Sequence, residues 1–244
     1  VDVRILGIDT ATASTAVAVT DAQGRVMSEV SHRDPRRHAE VLPALVREVL
    51  AASDTTPADL DLIAVGVGPG PFTGLRVGVS FARAMAHALD IPVVGAMTLD
   101  VIARAQACQP DGGGFADPPG ADGMTVVTRS RRVEVAWATY DAEGQRLEGP
   151  LVLPDSDYPR VGRVVGDVDG VDVSAYPSAA ILCELVHAQL AAGEPLPAHR
   201  SWPEDAAAGT GGPTATALSE RAAAGLVLLP ALPLYLRRPD AVPA

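Results

Sequence analysis

Three clusters in this 244-residue chain have residue types and spacings that could do chemistry. The first is Ile8-Asp9-Thr10-Ala11-Thr12, at the end of a strand-like run. A carboxylate followed by small hydroxyl residues can hold a magnesium ion and cradle a phosphate. The same residues also make an ordinary strand-end turn, in which side chains satisfy backbone groups. The second is Gly66-Val67-Gly68-Pro69-Gly70-Pro71-Phe72-Thr73-Gly74-Leu75-Arg76-Val77-Gly78. Glycines between a buried strand and a helix let backbone N–H groups face an anion; the prolines equally suit a tight turn with no ligand. The loop has neither the Lys of a Walker motif nor the spacing of a dinucleotide fingerprint. The third is His38 beside Glu40. A metal pair on a helix needs a second His one turn later, and Leu42 stands there. His32, His87, His187 and His199 are scattered, so no Ser–His–Asp or HExxH arrangement supplies a hydrolase with nucleophile and base.

Composition narrows the chemistry further. All 19 basic residues are Arg, with no Lys and no Asn anywhere. A P-loop lysine, a Schiff-base lysine and a lysine general base are therefore excluded. Thirty acidic residues bring the net charge to -11, which disfavours gripping a nucleic acid alone, because phosphate neutralisation supplies most of that affinity. Aromatics at 4% argue against base-stacking platforms. Cys108 and Cys183 lie far apart without a CxxC, as expected in a reducing compartment. No apolar run reaches the length that spans a bilayer, and the N-terminus lacks the order of a signal peptide. The expectation is a cytoplasmic protein with no membrane partner and no metal site.

The elements that must position these clusters follow from periodicity. Strands are expected at Val3–Ile8, Thr15–Thr20 and Arg25–Ser31, the last two joined by an Asp21-Ala22-Gln23-Gly24 turn. A helix follows from Pro35 to Ser53. The apolar run Leu60–Val67 suits a buried parallel strand, then come a helix over 73–89 and a strand over 91–95. The order β-β-β-α-β-α calls for a mixed sheet faced by helices. Shifting the sequence by 120 residues lays Ala16–Gly24 on Ala136–Gly144, each copy ending in Asp-Ala-x-Gly, which suggests two like-folded halves. Residues 108–123 read as a Gly/Pro-rich loop between a lobe at 1–107 and a lobe at 124–244. Helices near Ala179–Ala191 and Thr216–Leu229 complete the second lobe, and 194–213 is irregular.

The same shift tests a phosphotransferase reading, which needs an acidic or hydroxyl-bearing phosphate loop from each half. The counterpart of Asp9 is Arg129, which can pair with phosphate but cannot ligate magnesium. Gly209–Gly212 is the nearest candidate for an adenosine loop. On the first helix Val41, Leu42, Leu45, Val46, Val49 and Leu50 cover about half the circumference. On the second, Gly74, Gly78, Ala82 and Ala86 recur every four residues and permit close approach by another helix. Either the pair is buried within the chain, or part of it is a protein interface.

Ile5-Leu6-Gly7-Ile8-Asp9-Thr10-Ala11-Thr12, His38-Ala39-Glu40-Val41-Leu42-Pro43, the Gly66–Gly78 loop and Pro233-Leu234-Tyr235-Leu236-Arg237 together resemble the TsaB (YeaZ) family, in the family's order over nearly the whole chain. The resemblance implies a two-lobed member of the actin-like, sugar-kinase and heat-shock ATPase superfold. Each lobe would be a ribonuclease-H-like mixed sheet flanked by helices. It implies a non-catalytic scaffold or activating subunit for threonylcarbamoyl transfer to the tRNA adenosine next to the anticodon. The implied partners are a TsaD-like catalytic subunit, forming a heterodimer, and a TsaE-like ATPase; tRNA is met only through the complex, and the chain self-dimerises when TsaD is absent. No cofactor is firmly implied; a nucleotide would sit at the partner interface.

Under that resemblance the interface is expected at Leu42, Leu45, Val46, Val49, Leu75, Gly78, Val79, Ala82, Met85 and Ala86. Ala82→Glu or Leu45→Glu would then abolish pairing while sparing the fold. No residue is expected to be catalytic. A ligand loop, if used, comprises Asp9, Thr10, Thr12, Gly68, Gly70, Thr73 and Gly74. The enzyme alternative is an ATP-dependent phosphotransferase using Asp9 and the Gly66–Gly78 loop. The family's usual Asp-Ala-Arg followed by Glu-Val-Tyr in the second lobe is here Arg129-Ser130-Arg131 followed by Glu134-Val135-Ala136.

Overall fold

The computed structural model describes residues 2–108, 123–196 and 228–234. In chain order it runs through β1 (Ile5–Asp9), β2 (Ser14–Thr20), β3 (Val26–Arg33), α1 (His38–Ala52), β4 (Leu62–Gly66), α2 (Phe72–Leu89), β5 (Val93–Ala96) and α3 (Thr98–Ala107). It continues with β6 (Met124–Arg131), β7 (Glu134–Tyr140), β8 (Arg146–Pro154), β9 (Arg163–Gly166), β10 (Val173–Ser174), α4 (Ala179–Ala191) and β11 (Leu229–Pro230). The first sheet is ordered β11-β5-β4-β1-β2-β3 and the second β10-β9-β6-β7-β8. Setting β11 aside, both have one pattern: an antiparallel three-strand meander, then two strands parallel to its first member. That is the ribonuclease-H-like order, present twice.

The two hairpin turns show why the repeat was readable. Asp21 Oδ1 accepts from the N–H groups of Gln23 and Arg25, both at 2.9 Å, with Gly24 at φ +82. Asp141 Oδ1 accepts from those of Glu143 and Gln145, at 3.1 and 2.7 Å, with Gly144 at φ +79. A short carboxylate that bonds its own backbone, followed by a residue free to take positive φ, closes both hairpins.

Chain order misassigns two elements. The division at 108–123 would give α4 and β11 to the second lobe, yet β11 pairs with β5 and α4 packs on the first sheet. The physical reason is a smooth seat of small residues. A Cβ on Gly7 would lie 2.6 Å from Cys183 Sγ and 2.7 Å from Ala179 O, so only glycine lets α4 come so close; Ala16 and Ala18 meet Ala179 and Ala180 beside it. Of the proposed helix at 216–229, Leu229 is in a strand, and residues 216–227 lie outside the described residues. So do 109–122, 197–213 with the Gly209–Gly212 candidate, and 235–237 of the C-terminal motif. Leu234 of that motif is buried and donates its N–H to Val67 O at 2.8 Å.

The helix α3 stands where sequence gave no element. It leans on the second sheet and is tied there by a buried network. The Tyr140 hydroxyl donates to Asp100 Oδ1 at 2.8 Å, and Arg146 donates to both Asp100 oxygens at 3.1 and 3.2 Å. The helix α1 begins three residues later than expected, because Asp34 Oδ1 takes the Arg36 N–H in a preceding turn. The main core runs from α1 and α2 through the first sheet to α3 and the inner face of the second sheet.

Candidate functional site

Asp9 ends β1 fully buried, and both of its oxygens are engaged. Oδ1 accepts from the Ala11 N–H at 2.8 Å and Oδ2 from the Thr98 hydroxyl at 2.8 Å. The Thr98 Oγ1 also receives the Gly68 N–H at 3.2 Å, so one hydroxyl links Asp9 to the glycine loop. Thr10 reaches the other way. Its hydroxyl donates to Gly74 O at 2.7 Å and accepts from the Gly78 N–H at 3.0 Å, inserting between two groups one helical turn apart on α2. Thr12 is buried and its Oγ1 accepts from the Ser14 N–H at 3.2 Å.

The glycines are what allow this contact. A Cβ would lie 1.9 Å from Asp9 Oδ2 if placed on Gly66, 1.9 Å from Ala11 O on Gly70, 2.6 Å from Thr10 O on Gly74 and 2.4 Å from Thr10 Oγ1 on Gly78. Real side-chain atoms do not approach so closely. The loop therefore wraps the β1–β2 turn, whose atoms occupy the space that side chains at these glycines would need. Of the expected ligand residues, Asp9, Thr10, Thr12, Gly68, Gly70 and Gly74 are brought together in this packing, whereas Thr73 faces solvent.

Burial pushes the Asp9 carboxyl up to about 6, against the lowering pull of the Ala11 and Thr98 hydrogen bonds. A folded-state value above the unfolded one means a stability contribution present at low pH and lost as pH rises through about 6. A shift of roughly two units corresponds to about 3 kcal/mol. The unfolding free energy of Asp9→Asn relative to the native chain is thus expected to rise by about that amount between pH 4 and pH 7. Urea unfolding at several pH values reads this directly; a pH-independent difference would mean that Asp9 titrates normally.

His38 is buried at the start of α1, its Nδ1 2.7 Å from Thr15 Oγ1 and its ring against Gly74. Burial pulls its pKa down, which favours the neutral ring. Leu42, one turn on, is fully buried in the core. Among the described residues no group of His, Cys, Asp and Glu could hold a metal ion, and no helix is long and apolar enough to cross a membrane.

The expected interface residues need correction. Leu42, Leu45, Val46, Val49, Leu75, Gly78, Val79, Ala82 and Ala86 are all buried within the chain, and only Met85 of the set is partly exposed. The wide apolar arc of α1 is used internally, because the helix packs on β2 and β3 along one flank and on α2 along another. Ala82→Glu and Leu45→Glu would therefore bury a charge and disrupt the fold. Apolar side chains that α1 and α2 leave in part open to solvent include Ala44, Ala84 and Ala88, which are exposed, and Val41, Val77, Phe81 and Met85, which also pack on the core; the polar Arg76, Ser80 and His87 are exposed beside them on α2.

One residue of the site went unread in the sequence. Asp167, just past β9, accepts the Arg129 N–H of the second sheet at 3.0 Å and the Ala13 N–H of the first at 3.3 Å. The signal was a second likeness: Val164-Val165-Gly166 matches Ala64-Val65-Gly66, the strand end of the first lobe. The lobes also meet where the Thr128 hydroxyl donates to Pro69 O at 3.3 Å.

Two sheets of the same strand order, joined at the ends of their parallel strands, define a two-lobed α/β protein with a ribonuclease-H-like sheet in each lobe. A family model described as TsaD, tRNA N6-adenosine threonylcarbamoyltransferase, matches residues 17–166. The chain is 32% identical over 171 residues to the tRNA threonylcarbamoyladenosine biosynthesis protein TsaB of Escherichia coli, covering 67% of this chain and 68% of that one. An uncharacterized protein of Mycobacterium tuberculosis is 38% identical over 240 residues, 98% of this chain and 94% of its own. Among solved structures, YeaZ from Pseudomonas aeruginosa superposes with a TM-score of 0.65 at 26% identity, covering 78% of this chain and 95% of that one. The chain belongs to the TsaB (YeaZ) family.

Proposed function

We propose that this chain is the non-catalytic scaffold or activating subunit of a complex that forms threonylcarbamoyladenosine in tRNA. It pairs with a TsaD-like catalytic subunit, acts with a TsaE-like ATPase, and meets tRNA through the complex. The observation that carries this reading is the filled turn: Asp9, Thr10 and Thr12 have protein partners for the groups that a phosphotransferase would present to magnesium and phosphate. The family supplies the process, since its Escherichia coli member is named for threonylcarbamoyladenosine biosynthesis. The partner surface on this reading is the partly exposed stripe of Val77, Phe81, Ala84, Met85 and Ala88 on α2, with Val41 and Ala44 of α1 beside it. It is apolar and lies on helices fixed from within, as a docking face requires.

The test is co-purification with a TsaD homologue, followed by modification of an unmodified tRNA with and without this chain. Pairing together with modification that depends on this chain supports the reading; modification at full rate without it would overturn the reading. Calorimetry of the isolated chain with Mg-ATP addresses the phosphotransferase alternative, which needs tight binding and turnover.

A further inference from the structure

At the junction of the lobes, backbone donors that could hold an anion are turned on this chain's own side chains. In the β1–β2 turn the Ala11 N–H goes to Asp9, the Ser14 N–H to Thr12 and the Ala13 N–H to Asp167. Across the junction the Arg129 N–H, at the end of β6, also goes to Asp167. Asp167 is thus the point where one donor from each lobe converges on a single carboxylate, Oδ1 serving the second lobe and Oδ2 the first. Its approach depends on Gly166, where a Cβ would fall 1.7 Å from Val127 O. A register shift between Arg129 and Arg131 interrupts the regular ladder with β7 just beyond this donor, although Arg129 still faces Val135 and Arg131 faces Glu134.

N–H groups converging from a turn of one lobe and a strand of the other form an anion seat: charge-assisted bonds to backbone amides are the usual way proteins hold a carboxylate or a phosphate oxygen. We propose that Asp167 is a resident anion occupying an oxyanion seat between the lobes, that it latches the lobes together, and that removing its carboxylate uncovers a site for a tetrahedral oxyanion of the phosphate class. A phosphate taking this seat in the native chain would have to displace Asp167. The inference rests on contacts within this chain and stands apart from the subunit reading above.

The side chain and the free ion should be interchangeable, and Asp167→Ala tests this. The variant is expected to melt about 5 °C below the native chain, as loss of a part-buried charge-assisted contact between the lobes implies. Inorganic phosphate should restore part of that shift in proportion to its occupancy, while sodium chloride at matched ionic strength should not. The native chain should respond alike to the two salts. If Asp167→Ala does not fold unaided, recovery of folded Asp167→Ser or Asp167→Ala from phosphate buffer alone supports the proposal. Failure of both variants to fold even with phosphate overturns it, as does a phosphate response equal in the native chain and the variant. ATP in place of phosphate separates the sources: a shift with both marks a seat that admits a nucleotide's terminal phosphate, and a shift with phosphate alone marks a seat for the free ion.

Discussion

A chain carrying Ala84→Glu is expected to unfold at nearly the native urea concentration and yet fail to co-purify with a TsaD-like subunit. Ala84 is exposed on the outer stripe of α2, so a longer polar side chain there meets water and changes stability by less than about 0.5 kcal/mol. In a packed interface the same carboxylate would be desolvated among apolar side chains without a partner. That cost weakens binding by more than about a hundredfold, and tRNA modification that depends on the complex falls with it. Ala82→Glu, two residues earlier, supplies the contrast. Ala82 is fully buried, and its replacement is expected to remove the folded state altogether. Urea unfolding and co-purification of the two variants separate the outer face of α2 from the inner one. Undiminished pairing by Ala84→Glu would place the partner surface elsewhere.

The second large effect concerns the glycine loop. Gly66→Ala places a methyl group where the Asp9 carboxylate lies, and it cannot be accommodated unless Asp9 leaves its bonds with Ala11 and Thr98. A buried carboxylate without partners costs about 3 kcal/mol or more. Because the clash is with one side chain, it should disappear when that side chain is shortened: Gly66→Ala is expected to cost little in an Asp9→Ala background. Gly70→Ala has no such rescue, since its methyl group meets the carbonyl oxygen of Ala11, which belongs to the backbone. A double-mutant cycle by urea unfolding reads the difference as a coupling energy of about 2 kcal/mol between positions 66 and 9, and near zero between 70 and 9. Additive losses at 66 and 9 would mean that the loop does not close on Asp9.

Devices whose bonds are local are legible in the residues themselves; long-range partners are not. The Asp-Ala-x-Gly hairpins were readable because their bonds lie within five residues, and α4 was placed at Ala179–Ala191 by its own periodicity. Which sheet α4 covers was not readable. Its helix is apolar on several sides, and the complement that selects the first sheet, Gly7 with Ala16 and Ala18, sits at the far end of the chain. The apolar arc of α1 covers about half its circumference, and α2 takes up the part that β2 and β3 leave, a partner that no pattern local to α1 names. The glycine spacing likewise showed that something comes close to that loop. Thr10 and Asp9 fill it, and their identity depends on a register of strands that no local pattern contains. Asp167 has no counterpart at the position equivalent to Asp9, where Arg129 stands, because the acidic group of the second lobe follows the neighbouring strand β9.

The placement of α4 and β11 has a consequence for how the protein is made. The lobe begun by the earliest strands is finished by some of the latest elements, so a ribosome must deliver most of the chain before the first sheet can close. Until Leu182, Cys183, Val186 and Leu228 emerge, Ile5, Leu62, Ala64 and Val94 lack the cover they have in the folded molecule, and β5 has no neighbour on its outer edge. Contacts of such long sequence separation form slowly and leave apolar surface open to wrong associations. A fragment ending before α4 would carry that uncovered face permanently, and the nascent chain carries it for as long as synthesis lasts.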